Sequence, residues 1–222
     1  MGKLIVLEGL DGSGKSTQLE LLLAGLQQRG IDCKSFSFPD YASEASAPLR
    51  MYLSGAFGDK PDAVNPYAAA SFFSIDRYAS YKQHWETYYQ NGGNVIVGRY
   101  TTSNAIHQTS KLPPEQWEDY LAWLYDFEYR KMGIPQPDLV LFLDMPVAVS
   151  QKLLNGRYDG DEKKKDIHER DVAYLENCRK AARYTAAYSG WETVYCAEGD
   201  EPRAIGDIAD ELLQRVISAL KD

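Results

Sequence analysis

The segment Gly9-Leu10-Asp11-Gly12-Ser13-Gly14-Lys15-Ser16-Thr17 puts a lysine and two hydroxyls directly behind a run of glycines. The pattern is G-x-x-x-x-G-K-[ST], and it follows the apolar run Leu4-Ile5-Val6-Leu7. Glycines at this spacing let backbone N–H groups close around a phosphate. The lysine carries a movable positive charge to the outer phosphates, and the Ser16 hydroxyl suits Mg²⁺. A helix beginning at about Lys15 adds the positive end of its dipole. The alternative is a glycine-rich turn ahead of a core helix, and a full match directly after a strand argues against it. The pattern predicts a nucleoside triphosphate site.

A phosphate-binding loop needs a strand before it, a helix after it and a sheet beneath it. Residues 3–8 read as a buried strand and Ser16 to Arg29 as a helix closed by Gly30. Ile31 to Phe36 reads as a second strand, Ser46 to Leu53 as a short helix, and Pro66 to Tyr89 as a long one with Gly92-Gly93 beyond its end. Asn94 to Val97 is a short apolar strand, followed by an aromatic helix from Pro113-Pro114 to about Met132. Leu139-Val140-Leu141-Phe142-Leu143-Asp144 suits a strand buried on both faces. Val147 to Leu154 and Asp171 to Tyr188 are helical, Glu192 to Cys196 is the last strand, and Pro202 to Leu220 is an amphipathic helix. Alternating strands and helices predict an α/β fold with a parallel sheet covered on both faces. Asn155 to Asp166 is charged, holds two glycines and lacks an apolar period, as expected of a lid over phosphates.

The chain has 222 residues, enough for one domain with a substantial core, spanning 1–222. The net charge of −8 argues against nucleic acid and anionic membrane as partners. Cys33, Cys178 and Cys196 are far apart and form no C-x-x-C pair, which speaks against a disulfide framework or structural zinc. The first apolar run is too short for a signal peptide, and no stretch is long enough to span a bilayer. A soluble, cytoplasmic protein with reduced thiols is expected.

Four further segments follow the loop in order: Phe38-Pro39-Asp40-Tyr41, Phe73-Ser74-Ile75-Asp76-Arg77-Tyr78, Gly98-Arg99-Tyr100-Thr101-Thr102-Ser103-Asn104 and Pro137-Asp138 through Met145-Pro146. Behind a loop of the form E-G-x-D-G-x-G-K-S-T, this set closely resembles the thymidylate kinase family over nearly the whole chain. The resemblance implies a five-stranded parallel sheet of the P-loop NTPase type, ATP-dependent phosphorylation of dTMP to dTDP, a magnesium requirement and a homodimer.

It also implies roles. Phe73 matches the ring on which the pyrimidine stacks, and Arg77, one helical turn on, matches the arginine at the pyrimidine edge; on chemistry alone they also read as a core aromatic and a surface ion pair. Arg99 matches the arginine that holds the acceptor phosphate, at the carboxyl end of a strand where open α/β sheets bind ligands. Ser103, Asn104, His107 and Gln108 correspond to the stretch facing the base edge and the sugar 2′ position, with His107 placed to favour deoxyribose, although a lone histidine is more often structural. Asp11 matches the acid that contacts the sugar 3′-hydroxyl and orders water around magnesium. Phe38 is expected beside the acceptor, and Glu8 is placed to tie the loop down. The phosphate-binding loop lacks an arginine, so the catalytic cation is expected from the lid: Arg157 first, with Lys152, Lys163 and Arg170 behind it, and Tyr158 counted with the acceptor residues. Lys152 and Ala197, the latter in the loop that contacts adenine, complete the ATP site.

Two positions depart from the family. Gly98 stands where an aspartate is usual, which leaves its work to Asp11, Glu8, Asp144 or water. Tyr41 stands where some relatives carry a phosphate-contacting arginine, for which Arg50 is the candidate substitute. Two other readings stay open on the sequence: a deoxynucleoside kinase, which would need a carboxylate base, and a nucleotide-binding module without turnover.

Overall fold

Strand β1 (Leu4–Gly9) is buried along its whole length because it is the centre of the sheet. It pairs in parallel with β3 (Asn94–Gly98) on one side and β4 (Leu139–Asp144) on the other. The edges are β2 (Cys33–Ser37) and β5 (Glu192–Tyr195), giving the order β2-β3-β1-β4-β5. The continuous apolar runs of β1, β3 and β4 are what a parallel sheet covered on both faces requires, while edge strand β2 keeps exposed positions. In this computed structural model, residues 1–58, 60, 62–157 and 172–221 are described, with only the backbone path for 155–157 and 172.

Helices α1 (Lys15–Gln28) and α9 (Ile205–Ala219) cover one face, where Leu22, Leu26, Leu212 and Val216 meet Ile5, Leu7, Ile96 and Leu141. On the other face, α3 (Pro66–Ser80) continues through a π-helical turn, Tyr81–Trp85, into α4 (Glu86–Gln90). The predicted helix from Pro66 to Tyr89 is therefore present but interrupted by one wide turn. That turn carries Tyr81 and Trp85 into the core against Leu4, Val6, Val95 and Val97. Between β2 and α3 lies α2 (Ala47–Leu53). Helix α5 (Thr101–His107) starts straight after β3, and α6 (Trp117–Tyr125) ends in a second π-helical turn, Asp126–Lys131. Helix α7 (Val147–Arg157) runs three residues past its predicted end at Leu154. Helix α8 (Val172–Ser189) packs Cys178, Ala182 and Ala186 against Ile106 and Phe142.

One expectation needs correction. The last helix begins at Ile205, not Pro202, because Glu201–Pro202 (β7) folds back on Ala197–Glu198 (β6) in a hairpin turned by Gly199 at φ 59°.

The sheet order makes β1 the point at which connections switch sides. The segments leaving β1, β3 and β4 meet at their carboxyl ends, the place where open α/β sheets form a binding crevice. Among the described residues, no helix is long and apolar enough to cross a membrane.

Candidate active site

Two cavities open at that edge. The first is built on the loop between β1 and α1. Gly12 and Gly14 sit at φ 76° and 86°, a region that side-chain-bearing residues avoid. A Cβ on Gly12 would also stand 3.0 Å from the Ser150 Cβ and 3.1 Å from the Leu154 Cγ. The backbone turns through Ser13 N–H donating to the Leu10 carbonyl at 3.1 Å, and α1 then starts at Lys15. Its first N–H groups are left to a ligand, a ready anion site. Glu8 fixes the loop from behind. Fully buried, its carboxylate accepts from Gly9 N at 2.9 Å, Thr102 Oγ1 at 2.6 Å and Ser103 Oγ at 2.8 Å, so the loop is tied to α5.

Lys15 Nζ donates to the carbonyls of Gly9 at 2.6 Å and Leu10 at 2.9 Å. Burial, aided by the like charge of Arg99 and opposed by Asp11 and Glu8, brings its pKa down to about 8. Asp11 through Thr17 line this cavity, Gly9 and Leu10 stand behind them, and Leu153, Leu154, Ile205 and Ile208 add an apolar side.

The second cavity shares two residues with the first, Asp11 and Arg99. Arg99 is the non-glycine residue held at positive φ, 68°, among those described. The strain arises because β3 must turn into α5 within two residues, and it aims the guanidinium across the mouth of both cavities. There Arg99 is ion-paired with Asp11, donates to Ser103 Oγ at 3.5 Å and stands 3.4 Å from His107 Nε2. Burial opposes its charge, but Asp11 and Glu8 outweigh burial and hold it protonated. His107 Nδ1 in turn lies 3.7 Å from Cys178 Sγ. Phe38, Phe73, Arg77, Ser103, Asn104 and Gln108 line the same cavity, joined by Tyr41, Tyr52, Lys111 and Tyr174, to which the sequence assigned no binding role.

The wall of this second cavity is held by a residue that sequence reasoning missed. Glu128, fully buried in the second π-helical turn, accepts from Arg77 Nε at 2.8 Å and Nη2 at 2.5 Å, Ser74 Oγ at 2.8 Å, Thr101 Oγ1 at 2.7 Å and Asn104 Nδ2 at 3.1 Å. One carboxylate thus sets the side chains of α3 and α5 together. Arg77 reaches the cavity with those two nitrogens committed to Glu128, so it is a fixed part of the wall. No sequence signal separates Glu128 from Asp126, which pairs with Lys131 at the surface.

The sequence that builds these cavities has relatives among known proteins. The thymidylate kinase family model matches residues 7–199. The chain is 30% identical over 190 residues to a thymidylate kinase of Mycobacterium tuberculosis, covering 85% of this chain and 87% of that one. It is 31% identical over 158 residues to a thymidylate kinase of Caenorhabditis elegans, covering 67% and 66%, and 29% identical over 174 residues to one of Danio rerio, covering 77% and 73%. The chain belongs to the thymidylate kinase family. It is a phosphotransferase that acts on dTMP, on the α/β P-loop fold of thymidylate kinases.

Within that family frame, three expected site residues stand elsewhere. Arg50 does not line the second cavity. Its Nη1 donates to the carbonyls of Tyr41 at 3.0 Å and Ser43 at 2.8 Å and to Ser46 Oγ at 2.5 Å, so it braces the turn that carries Tyr41. Lys152 is not among the residues lining the first cavity, and its Nζ lies 3.1 Å from the Asp200 carbonyl and 3.4 Å from Glu201. Ala197 is set behind the wall by the hairpin, whose other strand brings Pro202 and Arg203 to the cavity instead. Arg157 ends α7 and its side chain lies outside the described residues, as do Tyr158, Lys163 and Arg170.

Asp144, one of the carboxylates expected to do the work of the one missing at Gly98, is committed elsewhere. Arg179 Nε holds one of its oxygens at 2.8 Å and Arg183 holds the other at 2.9 and 2.7 Å. At Gly98 itself, a Cβ would meet the flexible end of Leu19 at 3.2 Å.

Proposed function

We propose that the first cavity holds ATP, the second holds dTMP, and Arg99 with Asp11 joins them at the line of transfer. The observation that carries this reading is that these two residues wall both cavities. The loop N–H groups and the start of α1 hold the β- and γ-phosphates, with Lys15 turning from its own loop carbonyls to the ligand. Leu153, Leu154, Ile205 and Ile208 take the adenine face. Ser16 and Asp11 both line the donor cavity, and a hydroxyl with a carboxylate is a hard donor set that suits Mg²⁺. Bound there with ATP, the ion would neutralise charge on the phosphates.

On the acceptor side, dTMP stacks its base on Phe73 beside Phe38. Arg99 pairs with its phosphate, and Asp11 accepts from the sugar 3′-hydroxyl. An oxygen of that phosphate attacks the γ-phosphorus in line, the bond to the β-phosphate oxygen breaks, and ADP leaves with the electron pair. The attacking oxygen is already anionic, so no general base is required and catalysis is positioning plus charge stabilisation. Arg157 supplies the remaining positive charge from the lid. The protein works as a homodimer in the cytoplasm.

The test is ADP release with Mg-ATP and saturating dTMP, beside UMP and thymidine. Turnover on the order of 1 s⁻¹ or faster with dTMP, and little with the other two, is expected. Release with thymidine instead of dTMP would make the chain a nucleoside kinase, and none with any acceptor would leave a binding module.

A further inference from the structure

Arg99, Ser103, His107 and Lys111 all line the acceptor cavity, Arg99 just before α5, Ser103 and His107 on it and Lys111 in the short turn after it, so one wall carries polar side chains from the phosphate end outward. Its near end is the Arg99–Asp11 pair. Its far end is Lys111, whose Nζ donates to the Tyr52 hydroxyl at 2.7 Å and lies 5.2 Å from the Tyr52 ring centroid. Tyr52 in turn meets Phe73 edge-on, with centroids 6.2 Å apart and planes at 83°. The ammonium is therefore anchored beside the ring on which the base stacks. Burial brings its pKa down to about 8, the mark of a charge short of water. Among the described residues, no carboxylate lies within ion-pairing distance of it.

We propose that Lys111, braced by Tyr52, is a further specificity-determining residue, whose ammonium donates to the 4-oxo group of the acceptor base. An ammonium has donors and no acceptor, so it rewards an oxo group and opposes an exocyclic amine. Lys111 thereby favours oxo-pyrimidines such as thymine over the aminopyrimidine cytosine. The inference rests on the second cavity being the dTMP site.

The experiment measures KM and kcat for dTMP, and KM or competitive Ki for dCMP, in the wild type, Lys111→Met, Lys111→Arg, Tyr52→Phe and Phe73→Ala. Lys111→Met is expected to raise the dTMP KM about tenfold or more, leave kcat within about twofold and leave dCMP binding unchanged or improved, so the dTMP preference falls by at least the same factor. Lys111→Arg restores most of the preference, and Tyr52→Phe lowers it by about threefold. A folded Lys111→Met with unchanged dTMP KM, an equal loss on both nucleotides, or a loss in kcat alone overturns the proposal. If Lys111→Met does not fold, an unchanged preference in Tyr52→Phe overturns it. Phe73→Ala separates the two claims: if it raises the dTMP KM while Lys111→Met does nothing, only the role of Lys111 fails. If neither moves it, the acceptor-site reading fails as well.

Discussion

The donor and acceptor cavities lie side by side, share Asp11 and Arg99, and are made in opposite ways. The donor cavity is chiefly one continuous stretch, Asp11 to Gln18, offering backbone N–H groups. The acceptor cavity is side chains from the turn after β2, from α2, α3, α5 and α8, and from the end of β3. Each depends on one buried carboxylate saturated with donors. Glu8 accepts three hydrogen bonds and pins the loop. Glu128 accepts five and binds α3 to α5. A site made of backbone needs one anchor behind one loop, whereas a site made of side chains needs its elements locked to each other.

Arg99 is where the distinction should break down. Arg99→Ala is expected to cut kcat/KM by about 10³, through an arginine that faces both phosphates in transfer. Arg99→Lys recovers only part, because an ammonium lacks the planar fork. An effect confined to dTMP binding would show that the arginine serves one cavity alone.

Glu128→Gln sharpens the contrast. It leaves the Arg77 guanidinium buried without its counter-charge, at a cost of about 3–5 kcal/mol in urea unfolding. The dTMP KM should rise while ATP affinity stays within about twofold, since the two networks share no partner. Equal losses at both sites would mean that the cavities are one cooperative unit.

Gly14→Ala is the mirror experiment. Its Cβ meets nothing within 4 Å, so the whole cost comes from φ 86°. That cost is about 1–2 kcal/mol. ATP affinity should fall about tenfold, with dTMP binding unmoved, by titration of each ligand alone.

The smallest effect is a proton. The Lys15 pKa is lowered to about 8 in the free protein, and the negative phosphates of ATP push it back up. ATP binding at about pH 8.5 should therefore take up a proton, and at about pH 6.5 should not, because Lys15 is then charged in both states. Calorimetry in two buffers of different ionisation enthalpy reads this directly. No uptake at the higher pH would mean that Lys15 never meets the phosphates.

Much of the scaffold was legible. The apolar runs at Leu4 and Leu139 read as buried strands, and both are. Gly30 closes α1 at φ 69°, as its place after Arg29 implied. What the sequence left open shares a cause. Arg50 and Lys152 are cations near the expected segments, and each is held by carbonyls that the fold brings to it. Pro202 reads as a helix start until Gly199 turns the chain back into a hairpin.

By itself the sequence determined the parallel sheet and the phosphate loop, because glycine spacing and apolar periodicity act on neighbouring residues and leave a local imprint, and the order of its five segments carried the family resemblance. Tertiary structure alone decided that Glu128 rather than Asp126 is the hub, that Arg77 is clamped, that Asp144 is held by Arg179 and Arg183, and that Lys111 reaches Tyr52 beside Phe73. Those outcomes depend on burial and on partners that the sheet and its helices bring together from distant parts of the chain. A charge's function follows from the solvent it loses and the partner it meets, and neither is a property of the residues beside it in sequence.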